Sequence, residues 1–168
     1  SRNLSSLVLS KKTSKVSKLI YATFSLKSDN PLSKIDVILK PYTTAFRDAY
    51  LKFYDKPVQE ILAKEAWVNY MKPGDFNPVH THGGCNFASV IYLDIPKKLE
   101  KEIKEYKGTG GFPGGTAFLY GESGEFFNSW YFFKPSPGTI FIFPWNLKHF
   151  VNPFRSKCER ISVAVNFI

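Results

Sequence analysis

From Ala66 onward, short apolar runs alternate with clusters of Gly, Pro, Asp and Asn, and this punctuation limits the fold more than any other feature. Residues 67–71 read as a strand, ended by the turn signal Lys72-Pro73-Gly74-Asp75. Residues 87–93 form the next strand. Gly114-Gly115 opens another that runs through Tyr120 and is turned by residues 121–124. Residues 126–133 follow, then the turn Pro135-Ser136-Pro137-Gly138, then strands over 139–143 and 161–168. A charged insert at 97–107 has helical spacing. Strands this short, with no internal repeat, predict a mainly β sandwich or barrel.

The chain before Ala66 has a different texture. Residues 1–18 are rich in Ser and Lys and suit a loose arm or an edge strand, and 20–26 reads as a strand. From Pro31, Ile35, Ile38, Leu39, Tyr42, Phe46, Ala49 and Phe53 recur at three- and four-residue steps, which puts them on one helix face. Lys34, Arg47, Asp48 and Lys52 lie outside it. Pro41 and Pro57 are expected to divide this region into two or three short helices. With 168 residues the chain fits a single domain: an arm and helices over 1–64 and a β core over 65–168.

Composition excludes several classes of function. Hydrophobic residues make up 43% of the chain, enough for a packed core. The longest apolar runs, such as 140–145, fall far short of the ~18 residues that cross a bilayer. No signal peptide is readable in residues 1–10, and Cys85 and Cys158 cannot frame a small secreted fold. A reducing, cytoplasmic setting is expected (a host's cytoplasm if the source is viral). The net charge of +9 is concentrated at the front: residues 1–64 hold 12 Lys/Arg against 5 Asp/Glu, and 65–168 hold 11 against 9. Only four of the 23 cations are Arg, with no aromatic-interleaved stripe, which argues against a nucleic-acid groove.

The chemistry points to the three histidines, His80, His82 and His149, all beside turn residues at strand ends. In extended chain, residues i and i+2 share a side, so His80-Thr81-His82 presents two imidazoles together and His149 would have to join from a distant strand. Three imidazoles on one face suit Fe(II), Zn or Ni and leave positions open for substrate. Cys85 also permits a His80/His82/Cys85 zinc site. Eleven residues after His149, Arg160-Ile161-Ser162 opens the last strand. Its guanidinium and hydroxyl share a side and make a clamp for a carboxylate, with no acidic residue later in the strand to pair with Arg160.

Taken in order, Trp67-Val68-Asn69-Tyr70, Pro73-Gly74-Asp75-Phe76-Asn77, His80-Thr81-His82, Ser89-Val90-Ile91-Tyr92-Leu93, Gly114-Gly115-Thr116, Pro137-Gly138, Phe141-Ile142-Phe143-Pro144, His149-Phe150-Val151-Asn152-Pro153 and Arg160-Ile161-Ser162 carry a likeness. The chain resembles the Fe(II)/2-oxoglutarate-dependent oxygenases over about residues 65–168, in particular their prolyl-hydroxylase-like branch and its small microbial and phage members. That resemblance implies a double-stranded β-helix (a jelly-roll, cupin-like fold) with N-terminal helices packed on one sheet. It makes His80 and His149 iron ligands, Arg160 the anchor for the distal carboxylate of 2-oxoglutarate with Ser162 assisting, and Tyr92 a further contact to that carboxylate. Tyr70 and Asn69 become cosubstrate-pocket residues, and Asn166 is expected to point into the same pocket.

The departure is His82, which stands where the family pattern has a carboxylate. With three neutral imidazoles the site is one unit more positive than with two and a carboxylate. Asp75 swinging in, or His82 turned away with water in its place, are the alternatives to three-His ligation. The reaction implied is oxidative decarboxylation of 2-oxoglutarate by O2, giving succinate and CO2, coupled to hydroxylation of a C–H bond in a peptide or small molecule. Phe76, Phe87, Trp145 and Phe150 are candidate shielding walls. A cupin-like three-His enzyme that does not use 2-oxoglutarate, and a non-catalytic β-barrel binding module, are the competing readings.

Overall fold

A computed structural model describes residues 9–12, 31–122, 124 and 128–168. Helix α1 (Pro31–Tyr54) precedes most of the β structure, and α2 (Lys97–Glu105) lies between strands. The strands are β1 (Leu9–Lys12), β2 (Ala63–Met71), β3 (Asn77–His80), β4 (Phe87–Asp94), β5 (Thr116–Leu119), β6 (Trp130–Phe133), β7 (Thr139–Pro144), β8 (Lys148–Val151) and β9 (Arg160–Phe167). They form two antiparallel sheets, one of order β1-β7-β4-β9-β2 and one of order β3-β8-β5-β6. Strand β9 lies between β4 and β2, and seven of its eight residues are buried, with Ile161 half-buried. Such a near-continuous buried run is what a central strand covered on both faces requires.

Each face of the five-stranded sheet has its own core. Ile140 and Ile142 of β7, Ile91 of β4, and Val163, Val165 and Phe167 of β9 pack against Ile35, Leu39, Tyr42 and Phe46 of α1. The opposite face carries Ala88, Tyr92, Phe141 and Phe143, which meet Phe118 and Val151 of the four-stranded sheet. The alternation of neighbouring residues between these two clusters follows from the two-residue period of a strand.

One expectation needs correction. Pro41 does not divide the helix: α1 runs unbroken for 24 residues with Pro41 inside it. Its ring lies on the exposed side, where the partner it cannot bond, the Val37 carbonyl, belongs to a residue 75% exposed, so water can replace the missing hydrogen bond. α1 covers the outer face of the five-stranded sheet, whereas α2 places Leu99 and Ile103 in the cluster between the sheets. Finally, residues 9–12 pair with β7 as an edge strand, whereas the strand read over 20–26 and the start of the one read at 126 lie outside the described residues.

Candidate metal centre

The short strand β3 pairs with β8 so that His80 faces His149 directly across the ladder. His82, two residues past the end of β3, is held in extended chain by a hydrogen bond from its backbone N–H to the Trp145 carbonyl, 3.0 Å. Three rings from separate stretches therefore meet. Their centroids are 4.2 Å apart for His80 and His149, 5.1 Å for His82 and His149, and 5.5 Å for His80 and His82. One ligand atom from each lies within 4.8 Å of the others, and among the described residues this is the one such group of His, Cys, Asp or Glu. Cys85 is outside it. Asp75 is engaged elsewhere, its Oδ2 accepting from the Lys72 backbone N–H at 2.7 Å.

Backbone carbonyls set the tautomers. His80 Nδ1 donates to the Pro78 carbonyl at 2.7 Å and His149 Nδ1 to the Leu147 carbonyl at 2.8 Å. A carbonyl only accepts, so both Nδ1 atoms carry the proton and both Nε2 atoms present lone pairs. His82 Nε2 lies 3.2 Å from His149 Nε2. Two nitrogens each ~2.1 Å from one ion and ~100° apart would be about 3.2 Å from each other, so the pair has the spacing of adjacent metal ligands.

Electrostatics disfavour a second proton on His149 and on His82. Burial, opposed by the Leu147 carbonyl and reinforced by His80 and His82, lowers His149 from 6.5 to about 4. Burial and the positive charge His80 would carry also lower His82, against an opposing pull from Glu65. This gives a pH prediction for the metal-free protein. Between pH 6.5 and about 4 the unfolded chain protonates this histidine and the fold does not. Its contribution to stability is thus complete above the unfolded value and is lost as pH falls toward the folded one. A loss of roughly 3 kcal/mol is expected, at ~1.4 kcal/mol per unit. Urea midpoints at about pH 7 and about pH 4.5 measure it; an equal drop in His149→Gln, which has no imidazole at this position, would assign the loss to other groups.

A cavity of about 650 Å³ is lined by the three histidines and also by Arg160, Ser162 and Thr116. Arg160 is 3% exposed. Its Nη1 donates to the Gly114 carbonyl at 2.8 Å and its Nη2 to Ser162 Oγ at 3.2 Å, while Nε is buried without a partner. Gly114 has φ +65°, a left-handed conformation costly for a side-chain-bearing residue, and this turn carries the carbonyl that Arg160 meets. Gly115 is required for a different reason: a Cβ there would lie 2.5 Å from the Phe133 carbonyl oxygen. Tyr92 is fully buried, bonded through its hydroxyl to Thr116 Oγ1 at 2.6 Å, with the Arg160 guanidinium carbon 5.2 Å from its ring centre. Burial raises the Tyr92 hydroxyl above its usual value and lowers Arg160 below its own.

The other candidates fall in different places. Register pairs Asn69 with Ser162, putting both on the cavity face of the sheet. Tyr70 borders the cavity, yet it pairs with Ile161 on the opposite face from Arg160 and is 56% exposed. Asn166 shares the face of Arg160 but sits at the far end of β9, where its Nδ2 donates to Glu65 Oε1 at 2.7 Å. The shielding wall is also composed differently. Phe76 borders the cavity, but Phe87 packs with α1 through Phe46, and Phe150 joins Trp130 and Phe132 instead. Trp67, Met71, Thr116, Phe143 and Ala164 take the lining positions. Counting in twos from Asn69 reaches Trp67 and Met71, the signal that would have found them.

Comparison with known proteins agrees with this geometry. Residues 65–166 match the family described as "Putative 2OG-Fe(II) oxygenase". No curated protein matches. Among solved structures, a Pseudomonas putida prolyl-4-hydroxylase is similar with a TM-score of 0.59 at 12% identity, over 96% of this chain and 84% of that one. A 2OG-Fe(II) oxygenase family oxidoreductase from Burkholderia pseudomallei gives 0.60 at 14%, over 96% and 84%. A Trichoplax adhaerens prolyl hydroxylase, in complex with a hypoxia inducible factor peptide fragment, gives 0.61 at 10%, over 97% and 84%. At these identities the likeness is one of fold.

Proposed function

The chain belongs to the 2OG-Fe(II) oxygenase family, and from that premise we propose that it hydroxylates a C–H bond on a prolyl or other peptide side chain, with His80, His82 and His149 holding the metal. Membership makes it an enzyme using Fe(II), 2-oxoglutarate and O2, and among the described residues no helix is long and apolar enough to cross a membrane. With Fe(II) and 2-oxoglutarate bound, O2 would be the oxidant: two of its four electrons would come from 2-oxoglutarate as it becomes succinate and CO2 and two from the C–H bond, one oxygen atom going to succinate and one to the new hydroxyl.

The residues present fit both groups. Two of the three imidazoles are already locked with Nε2 unprotonated and aimed together, as a cation requires. Arg160 offers a buried, unpartnered Nε–H beside Nη groups held by Gly114 and Ser162. A buried donor without a partner costs about 1–3 kcal/mol, a cost that a carboxylate lying along the guanidinium would remove. The single observation that carries this reading is that the histidine trio and this incompletely bonded guanidinium border one cavity. A three-His enzyme without 2-oxoglutarate would leave the buried Arg160 Nε–H without an acceptor.

We read the two sheets as a jelly-roll double-stranded β-helix, with residues 65–168 as the catalytic core. Asn69, on the face of Ser162, and Tyr92, beside Arg160, would shape the cosubstrate end, with Tyr70 at the cavity border and Asn166 at the far end of β9. Exposed Trp67 and Phe76 border the cavity and give a peptide an apolar surface to lie on, consistent with the peptide held by the Trichoplax enzyme. Anaerobic addition of Fe(II) and excess 2-oxoglutarate is expected to produce a weak visible charge-transfer band, and aerobic incubation with a peptide panel to produce succinate. If the band is absent at saturating cosubstrate, the assignment fails.

A further inference from the structure

Ligation through His82 Nε2 has a consequence for its other nitrogen. His80 and His149 each give their Nδ1 proton to a carbonyl, whereas among the described residues His82 Nδ1 has no such bond. In the metal-free arrangement His82 Nε2–H can donate to the His149 lone pair 3.2 Å away. Once that nitrogen holds a cation, its proton must move to Nδ1, and the new N–H needs an acceptor. Ligating histidines almost always give this proton to a carboxylate, a carbonyl or water.

The sheet register leads from the rings beside His82 to a carboxylate, Glu65. The His82 ring rests 6.2 Å from Phe143 and 6.4 Å from Trp67, centre to centre. Phe143 pairs with Ala88, Ala88 with Asn166, and Asn166 with Glu65, so these residues form one cross-strand row on the cavity face. Trp67 is two residues beyond Glu65 on that same face. His82 is therefore seated over the corner where Glu65 stands. The Glu65 carboxylate is tethered by Asn166 Nδ2 at 2.7 Å, and Asn166 is 4% exposed with its own Oδ1 buried and unpartnered. Burying an amide to hold one exposed carboxylate is a costly arrangement unless that carboxylate has work to do.

We infer that Glu65, fixed by Asn166, is a positioning residue that accepts the Nδ1 proton of metal-bound His82 and returns to the site the negative charge its three neutral imidazoles lack. This deepens the function proposed above and rests on His82 being a ligand. The carboxylate has moved one shell outward, from the metal to the histidine.

The test is an anaerobic Co(II) titration without 2-oxoglutarate, read from the cobalt absorption and by competition with a chelator. Glu65→Gln, which keeps an acceptor for Asn166, is expected to weaken Co(II) binding about 10- to 100-fold. Thermal unfolding of the metal-free protein should stay unchanged. In a His82→Ala background the same substitution should have no effect on affinity, because its route to the metal is gone. Affinity within twofold of the unaltered protein in Glu65→Gln, while His82→Ala alone loses it, overturns the role of Glu65 and leaves three-His ligation standing. Unchanged affinity in His82→Ala overturns both. An equal loss from Glu65→Gln with and without His82 assigns the effect to general charge and also overturns the inference.

Discussion

His149→Ala is expected to lose tight iron binding and, with it, all turnover of 2-oxoglutarate. The magnitude can be bounded from metal-site energetics. Four-ligand structural zinc sites are worth roughly 10–16 kcal/mol, or about 3 kcal/mol per ligand, so one missing imidazole should weaken the metal by on the order of a hundredfold or more. The substitution also opens a hole, because His149 is 5% exposed and its ring packs 4.7 Å from Phe143 and 5.9 Å from Phe118. His80→Ala separates the two effects, since His80 is less buried and its loss should spare the core. Iron content after anaerobic loading and dialysis, together with succinate release, measures both variants. Retention of stoichiometric iron by either would remove that histidine from the ligand set.

How much of this site was legible in the sequence depends on how local each interaction is. The His80-Thr81-His82 pair could be read directly, because its geometry is fixed by two-residue periodicity. Joining His149 to it required the resemblance, since nothing local announces the β3–β8 ladder that sets His149 opposite His80. Arg160 and Ser162 were readable as neighbours on one strand face, and their hydrogen bond follows. Their third partner, the Gly114 carbonyl, comes from 46 residues away and involves backbone, which no side-chain pattern reveals. Glu65 escaped notice for a related reason. It precedes the first recognisable motif, and only the antiparallel register of β2 with β9 brings it to Asn166.

The misreadings have physical causes of the same kind. Pro41 is a helix breaker by intrinsic preference, but tertiary packing of Ile35, Leu39, Tyr42 and Phe46 onto the sheet outweighs one missing hydrogen bond on the wet side. Phe87 and Phe150 read as cavity walls because they are large and close in sequence to the histidines. A strand sends neighbouring side chains to opposite faces, so Phe150, next to His149, leaves on the far side of its sheet.

Arg160→Ala should leave iron binding in the absence of cosubstrate nearly intact while raising the dissociation constant for 2-oxoglutarate by about two orders of magnitude. Removing one partner of a buried, hydrogen-bonded charge pair typically costs 2–5 kcal/mol, and even the lower figure exceeds a tenfold change. Arg160→Lys tests the geometry behind that number. It keeps the charge but loses the planar fork, whose Nη1 and Nη2 are engaged by Gly114 and Ser162 while Nε stays unpaired. An affinity between those of arginine and alanine is the expected result. Both variants also strand the Gly114 carbonyl to different degrees, so the alanine form should unfold a few degrees lower, at about 1–3 kcal/mol for an unmet buried acceptor. That stability loss cannot mimic the binding result, because 2-oxoglutarate is titrated at saturating Fe(II) on folded protein and read from the visible band. Cosubstrate affinity within threefold of the unaltered protein in Arg160→Ala would mean that the guanidinium serves the loop at Gly114 alone, and the carboxylate anchor would have to be sought elsewhere in the cavity.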